Sequence, residues 1–394
     1  MGKKILFISW IIASVIISLY SFTQVDLSLT LSRLSIWQEI QKFFQYIGYF
    51  QRPLSTYIFS FAVIFIFSLF LWTLKLIKLG KLQRREVWTI ILTVSAILFL
   101  SYNAFSYDLF NYIFDAKIIT YYNQNPYVHK ALDFPGDPML SFMHWTHRTY
   151  PYGPVWLILT VPFSFIGLNY FLLTFYLFKL LVLSSFIGSA YFIEKVLIKT
   201  KSVNPLFGLA FFALNPLILT ESLVSAHNDI VMMFFAILSV YLLLEKKLFY
   251  SFLALALSIG IKFATVFLIP VYIYYLLSNR NKENYKQFFY LSFVSMIIPV
   301  ILACLRTNFQ PWYLLYALPF AAYISKSYFI FIPVIIFSIL SIFQYAPFIY
   351  LGNWDKPVPQ VLSFMNIIAI GSSFLTVLIL FLKGVFLKKY VKKS

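Results

Sequence analysis

The chain has 394 residues, of which 61% are hydrophobic and only 11% charged, and it carries a formal net charge of +18. That much apolar surface excludes a soluble globular domain, and its arrangement in continuous blocks, without alternation, excludes a β-barrel. The single cysteine, Cys304, excludes an intrachain disulfide and any cysteine-based metal site.

The apolar blocks have the length, about 17 to 25 residues, that a helix needs to cross a hydrocarbon core of roughly 30 Å. About twelve crossings are predicted: 5–22, 54–74, 87–104, 170–193, 205–220, 229–244, 248–260, 263–278, 288–304, 311–325, 328–346 and 361–382. The first follows Lys3 and Lys4 and ends at Tyr20, Ser21, Phe22 and Thr23 without a small-residue cleavage site, so it reads as a retained signal anchor. Residues 153–167 begin Gly153, Pro154 and read as an interfacial or partly re-entrant helix, because a full crossing there would place Lys195, Lys199 and Lys201 outside. The expected fold is all-α: a polytopic transmembrane bundle forming one integral membrane domain over residues 1–394, with amphipathic helices in the first large outer loops.

Charge sets the orientation. With the N-terminus inside, the inner segments hold 21 of the 31 basic residues and 4 of the 13 acids, while the outer segments hold 9 of each. By the positive-inside rule both termini are then cytoplasmic in a multi-pass protein of the cell membrane. The positive charge follows from this topology and from anionic lipid on the inner leaflet, so no nucleic-acid partner is expected.

The outer loop of residues 105–152 is rich in aromatic, charged and turn-forming residues. Asp108, Asn111, Tyr112 and Asp115 are spaced to share one helical face, where a carboxylate suits a general base or a metal ligand, or simply a solvated interfacial helix. Asn125, Pro126 and Tyr127 form a turn signal, and Tyr150, Pro151, Tyr152, Gly153 and Pro154 lead into the next helix. His144 and His147, three apart, would need Asp137 close by to hold a metal, and a solvated loop suits them better.

Further along, Glu221 and the run His227, Asn228, Asp229 form a second outer polar cluster, suited to a sugar hydroxyl or a phosphate and equally to capping the helix from Ile230. Lys262, between Gly260 and Phe263, offers a cation at headgroup depth to a lipid phosphate, or snorkels without a partner. Arg306 precedes Gln310, Pro311, Trp312 and Tyr313, aromatics that also fit an interfacial belt.

In order, SYDLFNY (106–112), NPY (125–127), YPYGP (150–154), HND (227–229), IK (261–262) and QPWYLLYALP (310–319) resemble the GT-C membrane glycosyltransferases. The nearest pattern is that of the polyprenol-phosphate-mannose-dependent mannosyltransferases, over about residues 87–325. The resemblance implies a catalytic module there, preceded by the anchor and second helix (1–86) and followed by C-terminal helices and a basic tail (326–394). It implies a hexose, mannose, carried on a polyprenyl phosphate and passed to a glycan or glycolipid on the extracytoplasmic face. Asp108 matches the family's catalytic base, with inversion by single displacement. Asp115, Asn125, Tyr127, Tyr152, His227, Asn228, Asp229, Lys262, Arg306, Trp312 and Tyr313 are then expected to meet substrate, with Lys262 near the lipid phosphate. Relatives with two acids in the first motif differ from this chain, where Asp108 stands alone, so no metal ligand is assigned and a divalent cation stays an open alternative.

Two other classes share the lipid-linked sugar. A flippase or transporter would place ionisable residues at the bilayer midplane and show an inverted repeat, and only Lys179 is so placed, with no repeat. An O-antigen-type polymerase or ligase would lean on outer arginines, of which the chain has Arg33, Arg52, Arg148 and Arg306.

Overall fold

The computed structural model describes residues 2–278 and 285–391, with side chains to residue 383. Of the charges expected on the inner face, Arg280, Lys282, Glu283, Lys392 and Lys393, and the side chains of Lys388 and Lys389, lie outside the described residues. The described residues are helical and contain no strand. In chain order the helices are α1 (Gly2–Ser21), α2 (Ser35–Gln45), α3 (Arg52–Lys78), α4 (Arg84–Phe99), α5 (Asp108–Thr120) and α6 (Pro154–Ile166). There follow α7 (Phe171–Lys199), α8 (Pro205–Ala213), α9 (Pro216–Leu219), α10 (Asp229–Leu244), α11 (Leu248–Ile261) and α12 (Leu268–Ser278). The last five are α13 (Tyr285–Arg306), α14 (Leu318–Tyr323), α15 (Tyr328–Phe343), α16 (Tyr345–Leu351) and α17 (Val358–Val391).

By length and composition, 6 helical segments suffice to cross a membrane: Gly2–Gln24, Arg52–Lys78, Phe171–Lys199, Tyr285–Arg306, Tyr328–Leu351 and Val358–Lys383. A seventh is available if α8 and the segment Pro216–Val224 form one span bent by 48°. The bend has a local cause: Asn215 accepts a hydrogen bond from Leu217 N at 3.0 Å, and Pro216 has no amide hydrogen to continue the ladder from α8. The other five predicted crossings fall on shorter pieces: α4, α10, α11, α12 with the 3₁₀ turn before it, and the 3₁₀ turn Pro311–Tyr316 with α14. Their hydropathy has a second source, because residues 208–233 are buried without interruption and α10 is packed between α7 and α11. Hydropathy cannot separate a neighbour made of lipid from one made of helix.

α6 is a 13-residue helix with Pro162 inside it, packed on α5, α7 and α11. In the connection between α1 and α3, α2 is amphipathic in an unusual sense. Ile36 and Phe43 are exposed, while Gln41 and Gln45 are buried and donate to Leu29 O at 2.6 Å and to Asp26 O at 3.0 Å.

The ends of the bundle differ in charge. At one end Lys3 pairs with Glu86 (2.8 Å), Arg84 with Glu194 (2.7 Å) and Lys199 with Glu245 (2.9 Å), tying the starts of α1 and α4 to the ends of α7 and α10. The start of α10 lies 16 residues away, about 24 Å along a helix. Towards that opposite end Lys179 of α7 caps the end of α4: its Nζ donates to Leu98 O (3.2 Å), Ser101 O (2.5 Å) and Ser101 Oγ (2.9 Å). A cation at a helix C-terminus meets the unpaired carbonyls and the negative end of the dipole. The polar site lies beyond it.

Candidate active site

α5 opens at Asp108, whose amide donates to Ser106 Oγ at 3.1 Å, and an acid in the first turn suits the positive end of the helix. One turn on, the Tyr112 hydroxyl lies 3.5 Å from Asp108 Oδ2 and donates to Asn228 Oδ1 at 3.3 Å. Tyr112 also meets Tyr152 and Trp156 edge-on, each at 5.2 Å between ring centroids, which docks α5 on the start of α6.

The second part of the site is the connection between α9 and α10. Ala226 takes a left-handed backbone conformation (φ 51°), a strain of about 1 kcal/mol for a residue with a β-carbon. Immediately after it, His227 turns inward between two carboxylates. Its Nδ1 is 3.6 Å from Asp108 Oδ2 and its Nε2 is 3.2 Å from Glu221 Oε2, while its ring stacks on Trp312 at 4.2 Å. Glu221 in turn accepts from the Tyr345 hydroxyl at 2.8 Å. Burial opposes a charge on His227, but the two carboxylates outweigh it and raise its pKa to about 9. Asp108 is pushed up by burial and pulled down further by the adjacent His227 and by the charges of Lys262 and Arg148, so it is held below the ordinary carboxylate range.

The third part is a close backbone crossing. Gly153 N donates to Ile261 O at 3.0 Å, and a β-carbon on Gly153 would lie 2.2 Å from Gly260 O. Only glycine permits this approach, which brings the start of α6 against the end of α11. Lys262, extended just past α11, then points its Nζ at Asp229 Oδ1 (2.8 Å) and over the Tyr152 ring (5.5 Å). Glu221, His227, Asn228 and Asp229 are fully buried, whereas Asp108, Arg148 and Lys262 keep 14%, 35% and 22% of their side chains exposed. The last three are therefore open to solvent. Beneath them Ser222 Oγ, Ser225 Oγ, Asn228 Nδ2 and Asp229 Oδ2 are buried without a hydrogen-bond partner among the described residues, as are Glu221 Oε2 and both ring nitrogens of His227, whose contacts are ion-pair distances and not aligned hydrogen bonds.

The structure thus gathers Asp108, Tyr152, His227, Asn228, Asp229, Lys262 and Trp312. Asn228 precedes α10 but makes no side-chain cap, so the capping alternative does not account for it. Asp115 lies two turns past Asp108; burial, with Asp108 adding and Arg148 opposing, raises its pKa to about 7. Asn125 holds the predicted turn by accepting from Tyr127 N at 3.0 Å, and Tyr127 leans on Tyr150 and donates to Tyr152 O at 3.4 Å. Tyr313 shares a hydrogen bond with Thr307 Oγ1 at 3.0 Å. Arg306 is exposed at the end of α13 and forms no ion pair among the described residues. His144 packs tilted against Tyr107 at 3.9 Å, His147 lies by Trp145, and Asp137 is engaged by Lys117 (2.5 Å) and Tyr122 (2.6 Å), so His144, His147 and Asp137 do not assemble. Among the described residues no group of three or more His, Cys, Asp or Glu is arranged to hold a metal ion.

Sequence reasoning names Arg148 only among the outer arginines and gives no site role to it, though its Nη2 is 4.0 Å from Asp108 Oδ1, or to Tyr345. It noticed Glu221 without giving it a partner. Arg148 stands two residues before the YPYGP motif, which was its one available signal; Tyr345 had none.

Residues 11–278, about two thirds of the chain, match the model of a family described as alpha-(1->6)-mannopyranosyltransferase, N-terminal domain. The matched stretch holds Asp108, Arg148, Glu221, His227, Asp229 and Lys262; Trp312 and Tyr345 lie beyond it. No curated protein and no solved structure gave a match.

Proposed function

The chain belongs to the alpha-(1->6)-mannopyranosyltransferase family, and from that premise we propose that it moves mannose from a polyprenyl phosphate to a hydroxyl of a glycan or glycolipid on the extracytoplasmic face. The observation that supports this most is the convergence of a partly exposed carboxylate, Asp108, and a partly exposed cation, Lys262, through Tyr112, Asn228 and Asp229.

In the proposed reaction Asp108 accepts the proton of the acceptor hydroxyl while that oxygen bonds to the anomeric carbon. The bond from the anomeric carbon to the phosphate oxygen breaks on the opposite face, and the polyprenyl phosphate leaves with the electron pair. Lys262 supplies a positive charge where negative charge grows on the leaving group. A single displacement inverts the anomeric centre, so an α-linked product calls for a β-linked donor. The orientation rests on the charge pattern, which puts the paired Lys and Arg end inside and this site outside.

The alternatives lose their footing in particular residues. Lys179, the buried cation that a transporter would use, is occupied in capping α4. Of the arginines a polymerase or ligase would need, Arg148 alone stands at the site, while Arg52 lies by Tyr49 and donates to Ile349 O at 3.4 Å.

Purified protein in nanodiscs, offered polyprenyl-phosphate-mannose or a nucleotide sugar with a mannoside acceptor, tests the proposal. Transfer from the lipid donor alone is expected; transfer from the nucleotide sugar alone, or from neither, overturns it.

A further inference from the structure

The row Tyr345, Glu221, His227, Asp108 is a line of buried polar groups that ends on a partly exposed carboxylate. Its separations are 2.8 Å from Tyr345 Oη to Glu221 Oε1, 3.2 Å from Glu221 Oε2 to His227 Nε2 and 3.6 Å from His227 Nδ1 to Asp108 Oδ2. A carboxylate only accepts, and a neutral imidazole has one N–H. An imidazole between two carboxylates would therefore turn a lone pair towards one of them unless both nitrogens carry protons. The Trp312 ring, stacked at 4.2 Å and 23°, prevents His227 from swinging aside. Glu221 itself is fully buried, so it does not reach substrate; whatever it contributes passes through His227. No lysine or arginine pairs with it among the described residues. A carboxylate kept in such a place without a cation of its own needs the imidazolium as much as the imidazolium needs it.

We propose that Glu221, braced by Tyr345, is a positioning residue that keeps both nitrogens of His227 protonated and so holds the Asp108 carboxylate aimed at the acceptor hydroxyl. This rests on the reading of Asp108 as the base. It also gives the C-terminal part of the chain a place in the site, because Tyr345, on α16 and stacked on Phe105 at 4.9 Å, lies outside the stretch that matches the family. Other charged or titratable groups face this row from the packed elements: Arg148, Lys262, Asp115 and Asp229, with Tyr112, Tyr152, Tyr313 and Tyr316 around them. All of them remain in the variants below, so a change in pH response reports on the row.

The test is the pH profile of kcat/KM for transfer from polyprenyl-phosphate-mannose in nanodiscs, for the parent protein, Glu221→Gln, Tyr345→Phe, His227→Gln and Asp108→Asn. The parent profile is expected to fall on the alkaline side near the His227 value of about 9. Glu221→Gln removes a charge that favours the imidazolium, so its alkaline limb moves down by about one pH unit or more, and kcat at pH 7.5 falls about tenfold or more with both KM values within about twofold. Tyr345→Phe moves the same limb in the same direction by less, and His227→Gln has a low rate without that limb. An unmoved alkaline limb in Glu221→Gln overturns the inference. Should that variant not fold, an unmoved limb in Tyr345→Phe does so instead. An inactive Asp108→Asn beside an unmoved limb sinks this inference and leaves the base intact, whereas an active Asp108→Asn sinks both.

Discussion

Lys262 donates to Asp229 across 2.8 Å, closing the end of α11 on the start of α10 with a cation that is part exposed over a carboxylate that is fully buried. A structural pairing and the proposed donor contact meet in that pair, and double substitution separates them. Lys262→Ala is expected to raise the donor KM about tenfold and to cost about 1 to 3 kcal/mol of stability, because it leaves the Asp229 charge buried and unpaired. Lys262→Ala with Asp229→Asn should recover most of the stability and none of the donor affinity. Thermal unfolding and donor titration of the two variants check this, and an unchanged donor KM would remove Lys262 from the phosphate.

Asp108→Asn keeps the side-chain size and the start of α5 but cannot take up a proton. Its turnover is expected to fall by roughly two to four decades with donor binding retained, the range that acid–base catalysis commands. Single-turnover transfer and donor binding on the same sample measure it. More than about a tenth of the parental rate would exclude Asp108 as the base.

Much of this site was legible because its parts are local. The start of α5 follows from the spacing of Asp108, Tyr112 and Asp115, and the inward run His227 to Asp229 stands out because polar residues interrupt an apolar stretch. The pairing of Lys262 with Asp229 spans 33 residues and that of Tyr345 with Glu221 spans 124, and both depend on how helices pack. No periodicity reports that. Gly153 and Gly260 were visible only as turn residues, yet their mutual approach is what brings Tyr152 to Lys262. The prediction of about twelve crossings has a physical weakness of the same kind, since α10 is apolar on the sides that face α7 and α11 as well as on any that faces lipid.

The raised pKa of Asp115 has a consequence for stability with a definite sign. Its carboxyl keeps its proton to about pH 7 in the folded protein and releases it near 3.8 when unfolded, so between those values the unfolded state binds fewer protons. Stability then falls as pH rises from about 4 to about 7 and is flat above, as far as this group decides it. Asp115→Asn should be more stable than the parent at pH 8, with the gap closing towards pH 4. Melting in nanodiscs at both pH values checks it; a gap that widens on acidification contradicts the proton-holding carboxyl.

Gly153→Ala is expected to be disproportionately harmful for one methyl group. The added carbon would meet Gly260 O at 2.2 Å, a backbone atom that moves only if α6 and α11 separate. Overpacking of this kind costs about 1 to 3 kcal/mol, and the separation also displaces Tyr152 from Lys262. A lowered melting temperature with a raised donor KM is the expected pair of results. Gly136→Ala, where a β-carbon meets nothing within 4 Å, should change neither.

Lys179→Met distinguishes an enzyme from a carrier at the buried cation of α7. The Nζ of Lys179 is held by the Leu98 and Ser101 carbonyls and the Ser101 hydroxyl, so its removal leaves the end of α4 with unpaired buried acceptors. A cost of about 1 to 3 kcal/mol is expected, seen as a lower melting temperature. The kinetic constants of the folded fraction should stay within about twofold of the parent, since Lys179 does not touch Asp108, His227 or Lys262. If the variant instead kept its stability and lost lipid-linked sugar movement across proteoliposomes, Lys179 would be a transport residue and the capping role would fail. A helix cap and a translocation site make opposite demands on this lysine: the first needs it held against α4, the second needs it free to let go. Three hydrogen bonds to one helix end favour the first.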